Sequence, residues 1–215
     1  MRRDNWVLFG AVIGSLAIII VIGLGLTFLP NLLVPVQPTP TTGGILVEKP
    51  RQMGDFTLTD QNGKPVKLSD LHGKAVLMFF GYTHCPDVCP LTMADFKKVK
   101  QSLQQTAPSL GNRVTYVMIS VDGQRDTPPV MKKYVDLFDS AFIGLTGSPD
   151  QVANIGVDYG VKAELLKSDN SQDNYTVAHT SFTYLLDPKG YWRVAYPFQT
   201  PTNLIVSDVT RILSE

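Results

Sequence analysis

Two cysteines, Cys85 and Cys89, are the only thiols in the 215-residue chain, and both lie in Gly81-Tyr-Thr-His-Cys-Pro-Asp-Val-Cys-Pro90. Residues four apart on a helix share a face, with Cβ atoms about 5–6 Å apart. Two sulfurs so placed can grip one metal ion. They can also close a disulfide, which needs Cα atoms about 4.4–6.8 Å apart. Both uses stay open on spacing alone. The stretch follows an apolar run, Ala75 to Phe80, which reads as a buried strand, and leads into Leu91 to Leu103, where apolar residues recur at helical period. The cysteines therefore stand where a strand hands over to a helix. Pro86 and Pro90 suit a first helical turn, where a missing N–H costs nothing. Free backbone N–H groups and the helix dipole there favour thiolate over thiol.

Further ligands must come from elsewhere. The chain has three histidines: His72, His84 and His179. His72, in Asp70-Leu-His-Gly-Lys74, reads as a surface-loop residue. His84 adjoins Cys85 and could tune its pKa or bind a metal, but an exposed position at the mouth of the loop is the simpler reading. His179 falls just before a strand pattern, and its spacing alone does not make it a ligand. Met93 lies four residues beyond Cys89 and could lend a thioether, although methionine at helical spacing is more often core filler.

The remaining chain must position these groups. Nineteen basic and nineteen acidic residues balance, so no bulk field points to nucleic acid. Trp6 to Leu29 carries no charge. At about 1.5 Å per residue this run can cross a bilayer core of about 30 Å. Arg2 and Arg3 precede it, so residues 1–5 are expected in the cytoplasm and 6–29 as a retained anchor. A cleaved leader would have a shorter apolar region, of about 7–15 residues. Residues 30–50, with five prolines among Thr and Gly, read as a semi-extended tether. Residues 51–215 are long enough for one domain with a core.

In that domain, Phe56 to Leu68 alternates around Asn62-Gly63 and predicts a hairpin. Strands are expected at 75–80, 114–121, 142–145, 161–166, 181–186 and 192–196. Helices are expected at 88–106, at 127–138 and 148–157, each opening on a cap residue followed by proline, and at 202–213. Alternating strands and helices predict an α/β fold with a mixed sheet covered on both faces. A cysteine motif at the end of the first buried strand suggests a thioredoxin-like arrangement. In such sheets, sites gather at the carboxyl ends of the parallel strands.

Tyr82-Thr-His-Cys-Pro-Asp-Val-Cys-Pro90 closely resembles the copper-binding motif of the Sco/SenC proteins, copper chaperones for cytochrome c oxidase. Arg125-Asp-Thr-Pro128, Phe142-Ile-Gly-Leu-Thr-Gly147, Tyr175-Thr-Val-Ala-His-Thr180 and Asp187-Pro-Lys-Gly190 extend the likeness over nearly the whole soluble domain. The resemblance implies a thioredoxin-like domain behind a membrane anchor, with Cys85, Cys89 and His179 as copper ligands. The membrane topology read above leads to the expectation of a single-pass protein of the bacterial cytoplasmic membrane, its domain on the extracytoplasmic side. Two positions depart from the family pattern: Gly123 stands where the family usually has proline, and Ala178 where it usually has an acid. Loss of an outer carboxylate can tune metal affinity. Two thiolates and an imidazole suit Cu(I), whereas structural zinc would want a fourth protein ligand.

Two functions from different classes follow. One is a carrier that delivers copper to the CuA centre in subunit II of the oxidase, switched off when a disulfide joins its cysteines. The other is an enzyme, a thiol–disulfide reductase that keeps the acceptor's cysteines reduced without holding metal. A peroxidase-type thiol enzyme or redox sensor is a third and more remote reading.

Overall fold

The computed structural model describes residues 42–167, 175–179 and 181–215. The expected anchor, residues 6–29, lies outside them. Among the described residues, no helix is long and apolar enough to cross a membrane.

Apart from the short helical turns Leu68–Leu71 and Pro108–Gly111, the strands and helices among the described residues are, in chain order, β1 (Ile45–Gln52), β2 (Thr57–Asp60), β3 (Pro65–Lys67), β4 (Ala75–Gly81), α1 (Val88–Thr106), β5 (Val114–Ser120), α2 (Pro128–Asp136), β6 (Ile143–Thr146), α3 (Pro149–Tyr159), β7 (Ala163–Lys167), β8 (Tyr175–His179), β9 (Phe182–Leu186), β10 (Tyr191–Pro197) and α4 (Thr202–Ser214). Eight strands form one sheet in the order β1-β10-β9-β4-β5-β6-β2-β3, and β7 and β8 form a separate pair. β4, β5 and β6 are parallel, while β9 runs antiparallel to β4. This is the mixed sheet of a thioredoxin-like α/β domain.

All seven residues of β4 are buried, as expected of a strand covered on both sides. Alternate residues feed two cores. Leu77 and Phe79 pack with α1, α2 and α4 through Met93, Phe96, Val99, Met131, Val135 and Val209. Val76, Met78 and Phe80 meet α3 and the first hairpin through Val152, Tyr159 and Leu58 on the other face. Met93 is thus core filler. Phe96 meets Phe79 edge-on at 5.6 Å between centroids, and truncating such a buried ring costs about 3–5 kcal/mol. α3 begins as expected: Ser148 and Gln151 form a capping box with Pro149 in the first turn. Thr127 opens α2 with Pro128, but its side chain makes no cap.

The tether expected to reach residue 50 ends earlier, because Ile45–Gln52 is a strand. It pairs antiparallel with β10 across a register irregularity between Leu46 and Arg51. Ahead of it, the Thr42 hydroxyl and the Gly43 N–H donate to Asp208 on α4 at 2.7 and 3.2 Å. The domain therefore begins at about Thr42, not at 51. Tyr175–His179, read as the approach to a strand, is itself a strand.

Candidate metal and thiol site

The carboxyl ends of β4 and β5 lie side by side, with Gly81 in register with Ser120. Glycine is required at 81. A Cβ there would come within 2.8 Å of Cys89 Sγ and 2.7 Å of a Phe79 ring carbon. Past Gly81 the chain turns, with the Cys85 N–H donating to the Tyr82 carbonyl at 3.3 Å. α1 then starts at Val88. Cys85 and Pro86 thus precede the helix, and the cysteines are not two residues on one helical face. What joins them is a loop. Cys85 Sγ accepts the N–H of Cys89, at the helix N-terminus, across 3.4 Å.

Cys89 is 0% exposed and belongs to the core, whereas Cys85 is half-buried and packs against that core. A hydrogen bond to Cys85, and then burial, push the Cys89 thiol far above its ordinary range. The thiolate expected at both cysteines is therefore corrected at Cys89, because the hydrogen bond to Cys85 and then burial outweigh the helix terminus. The pair is arranged as donor and acceptor, with Cys85 the sulfur open to approach.

A group that sequence reading passed over holds this loop. Asp126, 0% exposed, accepts the Thr83 N–H at 2.9 Å, the Thr83 hydroxyl at 2.6 Å and the Ser120 hydroxyl at 2.6 Å. Ser120 Oγ in turn accepts the Asp122 N–H at 3.0 Å. Asp122 pairs with Arg125, whose guanidinium lies 5.9 Å from the Tyr82 ring centre. The Arg125-Asp126 motif thus fastens the ends of β4 and β5 to the start of the cysteine loop. His84 Nδ1 lies 3.0 Å from Thr83 Oγ1 and 3.7 Å from Asp126 Oδ1, with its side chain 53% exposed.

The other histidines separate cleanly. His72 abuts Gly190, in the turn at the far end of the sheet, and is remote from the sulfurs. His179 ends β8, its backbone paired with Ala163. Three residues later the chain enters β9 at Phe182, and Thr183 pairs with Phe79. Three extended residues span at most ~11 Å, so the backbone brings His179 to the cysteine end of the sheet. The register also sets Glu164 opposite Ala178. The Gly123 departure has a local reason. A Cβ at 123 would run into the Gly147 carbonyl.

Two soft sulfurs in mutual contact, one of them open, match the donor preference of Cu(I). Among the described residues, no three His, Cys, Asp or Glu side chains are grouped to hold a metal ion.

A thioredoxin-like domain with a strand-end CxxxC pair defines a class of thiol proteins that work at the carboxyl edge of the sheet. Residues 46–214 match the family model SCO1/SenC, and the chain belongs to that family. It is 36% identical over 172 residues to a SCO2-like protein of Rickettsia prowazekii, covering 80% of this chain and 82% of the relative. The structure of Bradyrhizobium japonicum ScoI with copper bound superposes with a TM-score of 0.66 at 37% identity, over 76% of this chain and 100% of that one. BsSco, described as a Sco-family cytochrome c oxidase assembly protein with a disulfide switch, matches at 26% identity and a TM-score of 0.62, over 78% of this chain and 96% of that one.

Proposed function

We propose that this protein is a copper carrier in which Cys85, Cys89 and His179 hold one Cu(I), for delivery to the CuA centre in subunit II of cytochrome c oxidase. The observation that supports this reading is the hydrogen-bonded cysteine pair, one buried and one open, at the carboxyl end of β4, with β8 ending at His179 three residues before β9 begins. A copper-bound ScoI structure and an oxidase-assembly relative with the same fold support it. Each Cu–S bond forms as its thiol gives up a proton, and acceptor thiolates reverse the exchange with copper remaining Cu(I). Two sulfur ligands and one imidazole leave an edge through which a partner can reach the ion. Trp6 to Leu29 anchors the chain in a bacterial cytoplasmic membrane with the domain on the extracytoplasmic side.

The test is anaerobic Cu(I) competition on the reduced full chain in detergent, beside Cys85→Ser and His179→Ala. One tightly held ion, with affinity lowered by either substitution, is the expected result. No binding, or binding indifferent to His179, would overturn the three-ligand site.

The contact between the sulfurs also favours a second reading, a thiol–disulfide reductase acting on the acceptor's cysteines. In that case oxidase assembly would fail with a Cys89→Ser variant and proceed with His179→Ala.

A further inference from the structure

The proton count around Asp126 decides what His84 can do. The Thr83 hydroxyl has one hydrogen and two acceptor sites, and gives that hydrogen to Asp126 Oδ1 at 2.6 Å. Its contact with His84 Nδ1 at 3.0 Å is therefore one in which Nδ1–H donates and Thr83 Oγ1 accepts. In the neutral ring this leaves Nε2 with a bare lone pair, on a side chain that is 53% exposed. A loop histidine that only meets water needs no such support. One that binds a metal usually has its other nitrogen hydrogen-bonded, directly or through a relay, to a carboxylate that sets tautomer and ring direction. Thr83 and the fully buried Asp126 form that relay, and the residue they orient adjoins Cys85.

Access makes the arrangement useful. Cys89 is 0% exposed, so an incoming ion meets Cys85 and the His84 imidazole before the second sulfur. On the way out, the Cu–Cys89 bond must break while another donor takes its place, or the ion passes through a poorly coordinated state. We propose that His84 Nε2 is a transit ligand for Cu(I), bonded to the ion together with Cys85 while the bond to Cys89 forms or breaks. The metal stays Cu(I) throughout, and each cysteine loses its proton as its Cu–S bond forms and regains it on release. This rests on the copper-carrier reading and adds to it a residue outside the Cys85, Cys89 and His179 set.

The test is the rate of copper removal. The reduced full chain carrying one Cu(I) is mixed anaerobically with excess bathocuproine disulfonate, and chelator colour is followed by stopped flow for wild type, His84→Ala and Thr83→Val. His84→Ala should slow release by about tenfold or more, in the range expected for disturbing a metal's supporting residues, with equilibrium affinity within replicate scatter. Thr83→Val, which takes away the acceptor that orients the ring, should slow release in the same direction. An unchanged rate in His84→Ala would overturn the transit role while leaving the carrier reading intact. A fall in affinity in His84→Ala would also overturn it, by making His84 a resting ligand. A wild-type chain that holds no Cu(I) would overturn both.

Discussion

Asp126 and Asp208 are both buried carboxylates that accept several donors from distant parts of the chain. Asp208, 2% exposed, gathers the Thr42 hydroxyl, the Gly43 N–H and the Tyr196 hydroxyl, and Arg211 pairs with its other oxygen at 3.2 Å. Asp126 gathers a similar number of donors, yet the basic group beside it is a histidine at 3.7 Å. A carboxylate that serves only to fasten two segments is better offset by a permanent guanidinium. One whose neighbour is a histidine of the cysteine loop can pass order outward to that loop. The Asp208 fastening closes the fold, and the Asp126 fastening holds the cysteine loop.

Asp126→Ala should have the larger consequence. It strands the Thr83 N–H and the Ser120 hydroxyl and should destabilise the domain by on the order of 3 kcal/mol. It should also weaken Cu(I) binding by about 10–100-fold through the displaced loop. Denaturant titration and anaerobic copper competition at a temperature where the variant is folded read the two effects separately. Asp208→Ala should cost about 2 kcal/mol in the same titration and leave copper affinity unchanged. If both variants lost copper in proportion to stability, the distinction between the two fastenings would collapse.

A third carboxylate sets the lower bound of the comparison. Burial raises Asp139, but the hydrogen bond from Lys100 and the Ala141 N–H outweigh it, and the net direction is down. A carboxylate lowered by folding contributes stability that is present above its unfolded value of about 3.9 and is lost as pH falls through the folded value. Asp139→Asn should therefore cost less than about 1 kcal/mol at neutral pH, and its difference from wild type should shrink as pH falls below about 4 and vanish only below the lower folded value. A difference that grows in acid would refute this assignment.

How much of this was readable in the chain depends on whether the signal was local. Ala75 to Phe80, the 88–106 helix and Ser148-Pro149 carry their own periodicity or caps, and each forms where expected. β1 carries none. Ile45–Gln52 is an exposed edge strand holding Glu48, Lys49, Pro50 and Arg51, and what makes it a strand is the neighbouring β10. A chain begun at residue 51 would lose it together with the Asp208 fastening. The cysteines were recognisable by type and spacing, but their contact arises from a loop ahead of the helix, which a shared helical face does not describe. Asp126 was the hardest to see. Its partner Thr83 is 43 residues away, and no pattern within a segment reports a bond between segments.

The Thr42 attachment bears on leverage. β1 runs antiparallel to β10, so the chain enters the sheet at Gly44 beside Tyr196, in the cross-strand row that continues through Thr183 to Phe79. That is the edge carrying the sulfurs. A body hung by its far end sweeps its tip through a wide arc, whereas one hung beside its working point keeps that point near the pivot however it turns. A restraint acting on the chain just before residue 42 would therefore hold the thiols more closely than the far end of the sheet.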